Sequence, residues 1–196
     1  MPVLRRWKYG VSAYHSVFIA RKDSGLSSLE DIQGKMVAFE ESFSTSGYML
    51  PLSFLIEQGM NPVEKADAET AVAPDEVGYV FSTADNTTIQ WVVSGKVPIG
   101  VIDNVTFEIL IPEETREGLT ILAATEDVPR QLMLLRAGIE PELAKAIKTV
   151  LIGVNEKEDA QAALEAFLTT EFDEFPEGAD AALSRMQTLY ELVQDN

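Results

Sequence analysis

The sequence predicts an α/β fold, and three observations carry that prediction. Short runs rich in β-branched and aromatic residues alternate with helical patterns across residues 14–124, and strands alternating with helices build a largely parallel sheet. Glycines and polar clusters punctuate these segments at the places where strands and helices stop. From Pro141 onward the pattern turns helical, with Leu143, Ile147, Val150 and Leu151 at i, i+4, i+7 and i+8.

The elements follow in order. Tyr14–Ala20 reads as a strand, ended by the polar Arg21–Gly25 stretch. Ser28–Ile32 reads as a short helical turn closed by Gly34, Met36–Phe39 as a second strand, and Ser42–Ser46 as a polar loop. Gly47–Gln58 reads as a helix stopped at Gly59, which suits the left-handed position after a helix. Pro51 falls in its first turns, where a missing N–H is tolerated. Residues 61–77 read as irregular and acidic. Val77–Ser82 is a third strand and Asn86–Ser94 a helix with Gly95 as its stop. Val97–Ile102 is a strand, Asn104–Leu110 a helix before Pro112, and Leu119–Ala124 and Gln131–Leu135 are strands. The tail is helical, ending in Ala160–Leu168 and Ala179–Val193.

The 196 residues, 46% apolar, suffice for one ordinary domain or two small lobes. Zero cysteines exclude disulfides, a thiolate nucleophile and Cys-based metal sites. A formal charge of -17 argues against nucleic acid and anionic membrane surfaces, whose phosphates require Lys and Arg. Residues 1–22 hold five of the 15 bases and none of the 32 acids. Val17–Ala20, the apolar run that follows Arg5, Arg6 and Lys8, is too short for a signal peptide.

The most informative segment is Phe39–Tyr48, which follows a strand and opens a helix. A helix start offers unpaired N–H groups and the positive end of the helix dipole. Ser44, Thr45 and Ser46 add hydroxyl donors, and Gly47 lets an anion approach the backbone. That makes a phosphate-sized oxyanion site without Lys or Arg. The same residues equally suit an ordinary N-cap beside a solvated loop. Ser82–Thr88 is a second helix start after a strand, and Asp103-Asn104 ends another strand. All three fall at the carboxyl edge of the sheet, where α/β folds bind ligands.

Tyr14–Val17, Arg21–Gly25, Leu29–Lys35 and Ser44–Pro51 occur in the order and spacing of a known family. Together they resemble the phosphate/phosphite/phosphonate class of ABC-transporter substrate-binding proteins, with a type 2 periplasmic-binding-protein fold. The resemblance implies one complete α/β lobe over residues 12–122. Residues 1–11 and 123–196 would form the hinge return and a partial lobe with the C-terminal helices. It implies a small oxyanion held between two lobes by Ser44, Thr45, Ser46 and Gly47, with the Tyr14 hydroxyl reaching it from the hinge strand. It implies an ABC permease as partner, a periplasmic or membrane-anchored extracytoplasmic location, no cofactor and no metal. Where the family carries a His against the oxyanion, this chain has Asp85 with Asn86 beside it. Further acids of relatives fall at Val105, with Asp103 nearby, and at Gln131. Members also carry a segment ahead of the hinge strand, so a missing part of lobe one is expected upstream or from another chain. An exposed apolar edge is expected around Leu132–Leu135.

Two other functions compete. A sensory domain of the same fold would come with a membrane helix or a DNA-binding motif. A hydrolase would need a base within reach of its serine, yet the lone His15 alternates with Tyr14 and faces the other side of the strand. The expectation is therefore a binding protein and not an enzyme.

Overall fold

The computed structural model describes residues 2–194. In chain order its strands are β1 (Pro2–Lys8), β2 (Ala13–Tyr14), β3 (Ser16–Arg21), β4 (Met36–Phe39), β5 (Pro62–Glu64), β6 (Val77–Phe81), β7 (Ile99–Asp103), β8 (Leu119–Ala124), β9 (Val128–Pro129), β10 (Leu132–Leu134) and β11 (Thr169–Asp173). Its helices are α1 (Leu50–Glu57), α2 (Asp85–Ser94), α3 (Glu113–Glu117), α4 (Pro141–Ile152), α5 (Gln161–Ala166) and α6 (Ala179–Gln194). A wide π-helical turn, Thr45–Met49, runs directly into α1, and a second, Thr106–Leu110, follows β7. The chain divides into two compact units: the residues up to Tyr14 with Asp127–Thr188, and His15–Glu126 with the residues from Leu189 on.

The larger unit is built on a six-stranded sheet of order β5-β6-β4-β7-β3-β8. Its first four strands pair in parallel, whereas β3 runs antiparallel to both β7 and β8. The sheet is thus mixed where the sequence suggested a largely parallel one. Parallel neighbours need a long crossover, usually a helix, and the stretch between β3 and β4 holds only two short 3-10 turns. Alternate residues of β3 and β4 serve opposite faces. Phe18, Ala20, Val37 and Phe39 join a core with Leu52 and Leu55 of α1, while Val17, Ile19, Met36 and Ala38 join one with Val92 of α2. Burial on both faces explains why these strands read as continuous apolar runs.

Two readings in this unit are corrected. Tyr14–Ala20 is not one strand. The His15 N–H donates to Asn104 Oδ1 at 3.1 Å and its C=O accepts from the Asn104 N–H at 3.0 Å, so the chain changes sheets there. Tyr14 pairs with Val128 in the small β2–β9 ladder, and Ser16 begins β3. Residues 61–77 are also not wholly irregular, because β5 forms the sheet's outer edge, the position where a strand tolerates Pro62.

The smaller unit carries an antiparallel sheet of order β10-β1-β11. Residues Pro2–Lys8 of the basic start form β1. Arg5 forms an ion pair with Asp173, and Arg6 Nε donates to Thr169 Oγ1 at 2.7 Å, both partners lying on β11. Leu4 and Leu135 are buried together against Ile147 and Leu151 of α4. β10 is an edge strand in which Leu134 is 63% exposed. Within α6, Val193 packs on the core of the larger unit.

Candidate functional site

β4 and β6 are parallel neighbours whose last residues, Phe39 and Phe81, stand side by side, so both following helix starts emerge at one sheet edge. The first is Ser44–Gly47. Ser44 is extended and caps the helix, its Oγ accepting the Gly47 N–H at 3.0 Å. The Met49 N–H donates to the Ser44 C=O at 3.0 Å and the Glu40 N–H to the Gly47 C=O at 3.0 Å, which closes the turn on itself. Tyr48 anchors it from below, in a cluster with Phe39, Tyr79 and Phe81 whose ring centroids lie 5.2–6.0 Å apart. Burial pushes the Tyr79 phenol above its ordinary pKa, with Tyr48 adding to the shift, so Tyr79 stays neutral.

Ser16, buried at the start of β3, donates its hydroxyl to the Ser46 C=O at 2.6 Å and ties the turn to the sheet. This pin was not foreseen. The available signal was a serine in an otherwise apolar strand, because a buried hydroxyl needs a partner. Ser44 is the N-cap that one reading of the turn expected. Of the first N–H groups of a helix, which lack intrahelical partners, that of Gly47 is taken by Ser44 and is not left for an anion. The Thr45 and Ser46 hydroxyls make no hydrogen bond among the described residues, and both side chains are half-buried. The Ser44 hydroxyl, accepting one bond, still has its own proton to donate.

The second start is α2. Ser82 and Thr88 are buried and bond each other at 2.5 Å, and Ser82 Oγ also donates to the Phe39 C=O at 3.0 Å, so neither hydroxyl caps the helix. Thr83 lies at φ 74°, a costly conformation for a β-branched residue, and its N–H donates to the Glu40 C=O at 2.8 Å. Through its N–H and C=O, Glu40 therefore links both helix starts. Asp85 occupies the first turn of α2, where a carboxylate favours the helix dipole.

Asp103 is buried at the end of β7. Its Oδ1 accepts the Val105 and Thr106 N–H groups at 3.0 and 3.2 Å, and its Oδ2 the Thr106 hydroxyl at 2.6 Å. That hydroxyl also lies 3.4 Å from Asp85 Oδ2, so the structure brings Asp85 and Asp103 together around Thr106. Asp85, the exposed Asn86 and Thr106 line a cavity of about 410 Å³ with Ile89 and Ile111. The Ser44–Gly47 turn is not part of that cavity's lining.

Tyr14 belongs to the smaller unit. The Arg130 guanidinium lies 4.9 Å from its ring centroid, a cation–π contact with no signal in the sequence. Among the described residues no group of three or more His, Cys, Asp or Glu side chains is placed to hold a metal ion. No helix among them is long and apolar enough to cross a membrane.

A family described as "ABC transporter, phosphonate, periplasmic substrate-binding protein" matches residues 1–182. The phosphate-import protein PhnD of Mycolicibacterium smegmatis is 36% identical over 77 residues, covering 38% of this chain and 24% of that protein. XAC2383 from Xanthomonas citri, solved bound to ATP, superposes with a TM-score of 0.88 at 26% identity, over 100% of this chain and 71% of that one. PhnD1 from Prochlorococcus marinus, solved with methylphosphonate, superposes with a TM-score of 0.70 at 16% identity, over 100% of this chain and 72% of that one. At that identity PhnD1 speaks for the fold alone, and the fold is that of type 2 periplasmic binding proteins.

Proposed function

Because the chain belongs to the phosphonate family of ABC-transporter periplasmic substrate-binding proteins, a family of non-enzymatic transport components, we propose that it captures a phosphate-like oxyanion for import. The carrying observation is the helix start at Ser44–Gly47, where the Thr45 and Ser46 hydroxyls are half-buried and unspent. Ser44, Thr45 and Ser46 act as neutral donors to the ligand's ionised oxygens, and hydrogen bonds to charged acceptors are the strong kind. Gly47 lets the turn close tightly, and Tyr14 is a further donor. Asp85 and Asn86 contact the ligand's remaining groups. Asp103 serves the site indirectly, because its carboxylate holds the Val105–Thr106 turn.

The ligand class is phosphonate, phosphite or phosphate. The named relatives support it: one is a phosphate-import protein, and XAC2383 takes a ligand rich in phosphoryl oxygens. An ABC permease is the partner, and the working location is extracytoplasmic. Calorimetric titration with methylphosphonate, phosphite, phosphate, ATP and sulfate tests the reading. One phosphorus oxyanion should bind saturably, and the Thr45→Ala/Ser46→Ala double variant should bind it at least about tenfold more weakly. Failure of every phosphorus ligand to bind, or equal affinity of the double variant, overturns it.

A further inference from the structure

Alternation along β1 sends its two adjacent arginines to opposite faces of the small sheet. Arg5 meets a carboxylate, that of Asp173 on β11. Arg6 meets none. Its Nε donates to the hydroxyl of buried Thr169 at 2.7 Å and its Nη2 to the Phe167 C=O. Both acceptors are neutral, and Arg6 forms no ion pair among the described residues, so the guanidinium keeps its whole charge. Its Nη1 group has no acceptor among them either. The cation is thus fixed in place and still able to donate, the condition for a preorganised contact with an anion.

A second observation is the space beside it. Arg6 lines a cavity of about 390 Å³ that lies wholly within the smaller unit, and small-molecule sites run from roughly 300 to 1,000 Å³. The wall is otherwise apolar except for Thr169, with Leu151 of α4, Leu164 of α5, Phe172 of β11 and the connecting Phe167 among its members. No carboxylate stands among the described lining residues. Phe167 is 69% exposed, an aromatic ring presented at the cavity instead of packed away. Leu168 beside it is held at φ 53°, costly for a bulky side chain, with its C=O accepting the Tyr9 N–H at 3.3 Å. Strain of this kind persists where the surroundings enforce it, and ligand clamps are one such place.

We propose that this cavity is a binding site for a small monocarboxylate with an aliphatic or aromatic body, its carboxylate paired with Arg6 and its body lying on Leu151, Leu164 and Phe172. A guanidinium matches a carboxylate through parallel N–H bonds. The charge of the wall selects the headgroup. One cation neutralises one negative charge, whereas a dianion would leave its second charge uncompensated against apolar side chains. The site does not depend on the oxyanion reading, because Ser44–Gly47 belongs to the larger unit.

The test is calorimetric titration of the full chain with octanoate at low and high NaCl, with acetate and octanol as the headgroup and the body alone. Octanoate should bind saturably, and at least about tenfold more tightly than either. Arg6→Gln should weaken it by about tenfold or more and remove its dependence on salt. Ala163→Phe, which leaves Arg6 in place and fills the cavity, should weaken it by a similar factor. Near-ultraviolet circular dichroism reports whether each variant keeps its packing, and where Arg6→Gln does not, Ala163→Phe decides. Absence of saturable octanoate binding overturns the inference, and so does unchanged affinity in a folded Arg6→Gln or in Ala163→Phe. Loss of octanoate binding in Thr45→Ala/Ser46→Ala overturns it too, since the ligand then sits at the oxyanion turn. In that double variant octylphosphonate should bind more weakly than octanoate, and the reverse order overturns the choice of a monocarboxylate. A dimer of the unaltered chain that Ala163→Phe dissociates, read by light scattering, assigns the cavity to a second copy and also overturns it. Methylphosphonate titration of Arg6→Gln should match that of the unaltered chain, so either reading can fail while the other stands.

Discussion

At Gly47 a Cβ would stand 2.4 Å from Glu40 Cβ, 2.7 Å from Glu40 Oε2 and 2.9 Å from Ser44 Oγ. Neither neighbour can retreat cheaply, because Glu40 is fixed through its backbone and Ser44 through its cap bond. Gly47→Ala should therefore destabilise the protein by about 1–3 kcal/mol and lower its affinity for the oxyanion, measured by urea unfolding and by titration. The sequence singled out Ser44–Gly47 because hydroxyls and a glycine at a strand-to-helix junction have few uses. The packing reason for the glycine was not legible, since Glu40 is brought against Gly47 only in the folded turn. Ser16 and Arg130 were illegible for the same reason. Ser16 meets Ser46 across 30 residues and Arg130 meets Tyr14 across more than a hundred, and no local spacing encodes either encounter.

Helices were read more reliably than strand edges. The segments Gly47–Gln58 and Asn86–Ser94 carry their own stops, and Gly59 and Gly95 adopt the left-handed conformation at φ 74° and 76°. β1 and β11 escaped notice because their residues pair by charge across the ladder instead of alternating apolar and polar. The three-residue edge strand β5 is simply too short to show a period. The segment after β7 is set by one carboxylate, since Asp103 Oδ1 accepts the Val105 and Thr106 N–H groups while Oδ2 accepts the Thr106 hydroxyl. Asp103→Ala should cost about 1–3 kcal/mol, because it leaves buried donors without acceptors. The decisive comparison is the unfolding midpoint against Asp103→Asn, which retains one acceptor oxygen and should lose less.

For the molecule as a whole, carboxylates bound in loops contribute to the acid side of its stability. The Ser27 and Ser28 N–H groups hold Asp31 below the usual carboxylate range, Lys65 with the Ala73 N–H does the same for Glu76, and the Thr70 hydroxyl does it for Asp67. A depressed folded pKa contributes stability that is present above the unfolded value and lost as pH falls through the folded one. Thermal unfolding should thus be insensitive to pH near neutrality and weaken below about pH 4. Asp31→Asn with Glu76→Gln should flatten that decline, and a slope unchanged by the pair would place its origin elsewhere. The order of the strands bears on how such a chain is made. All six strands of the larger unit's sheet lie between residues 16 and 124, whereas the partners of β1 among the described strands are β10 and β11. As the polypeptide leaves the ribosome, the large sheet has its complete set of strands before the second half of the small one is translated. Throughout that interval both of the partners described for β1 are still to be made. The larger sheet can therefore close while the smaller one still awaits β10 and β11.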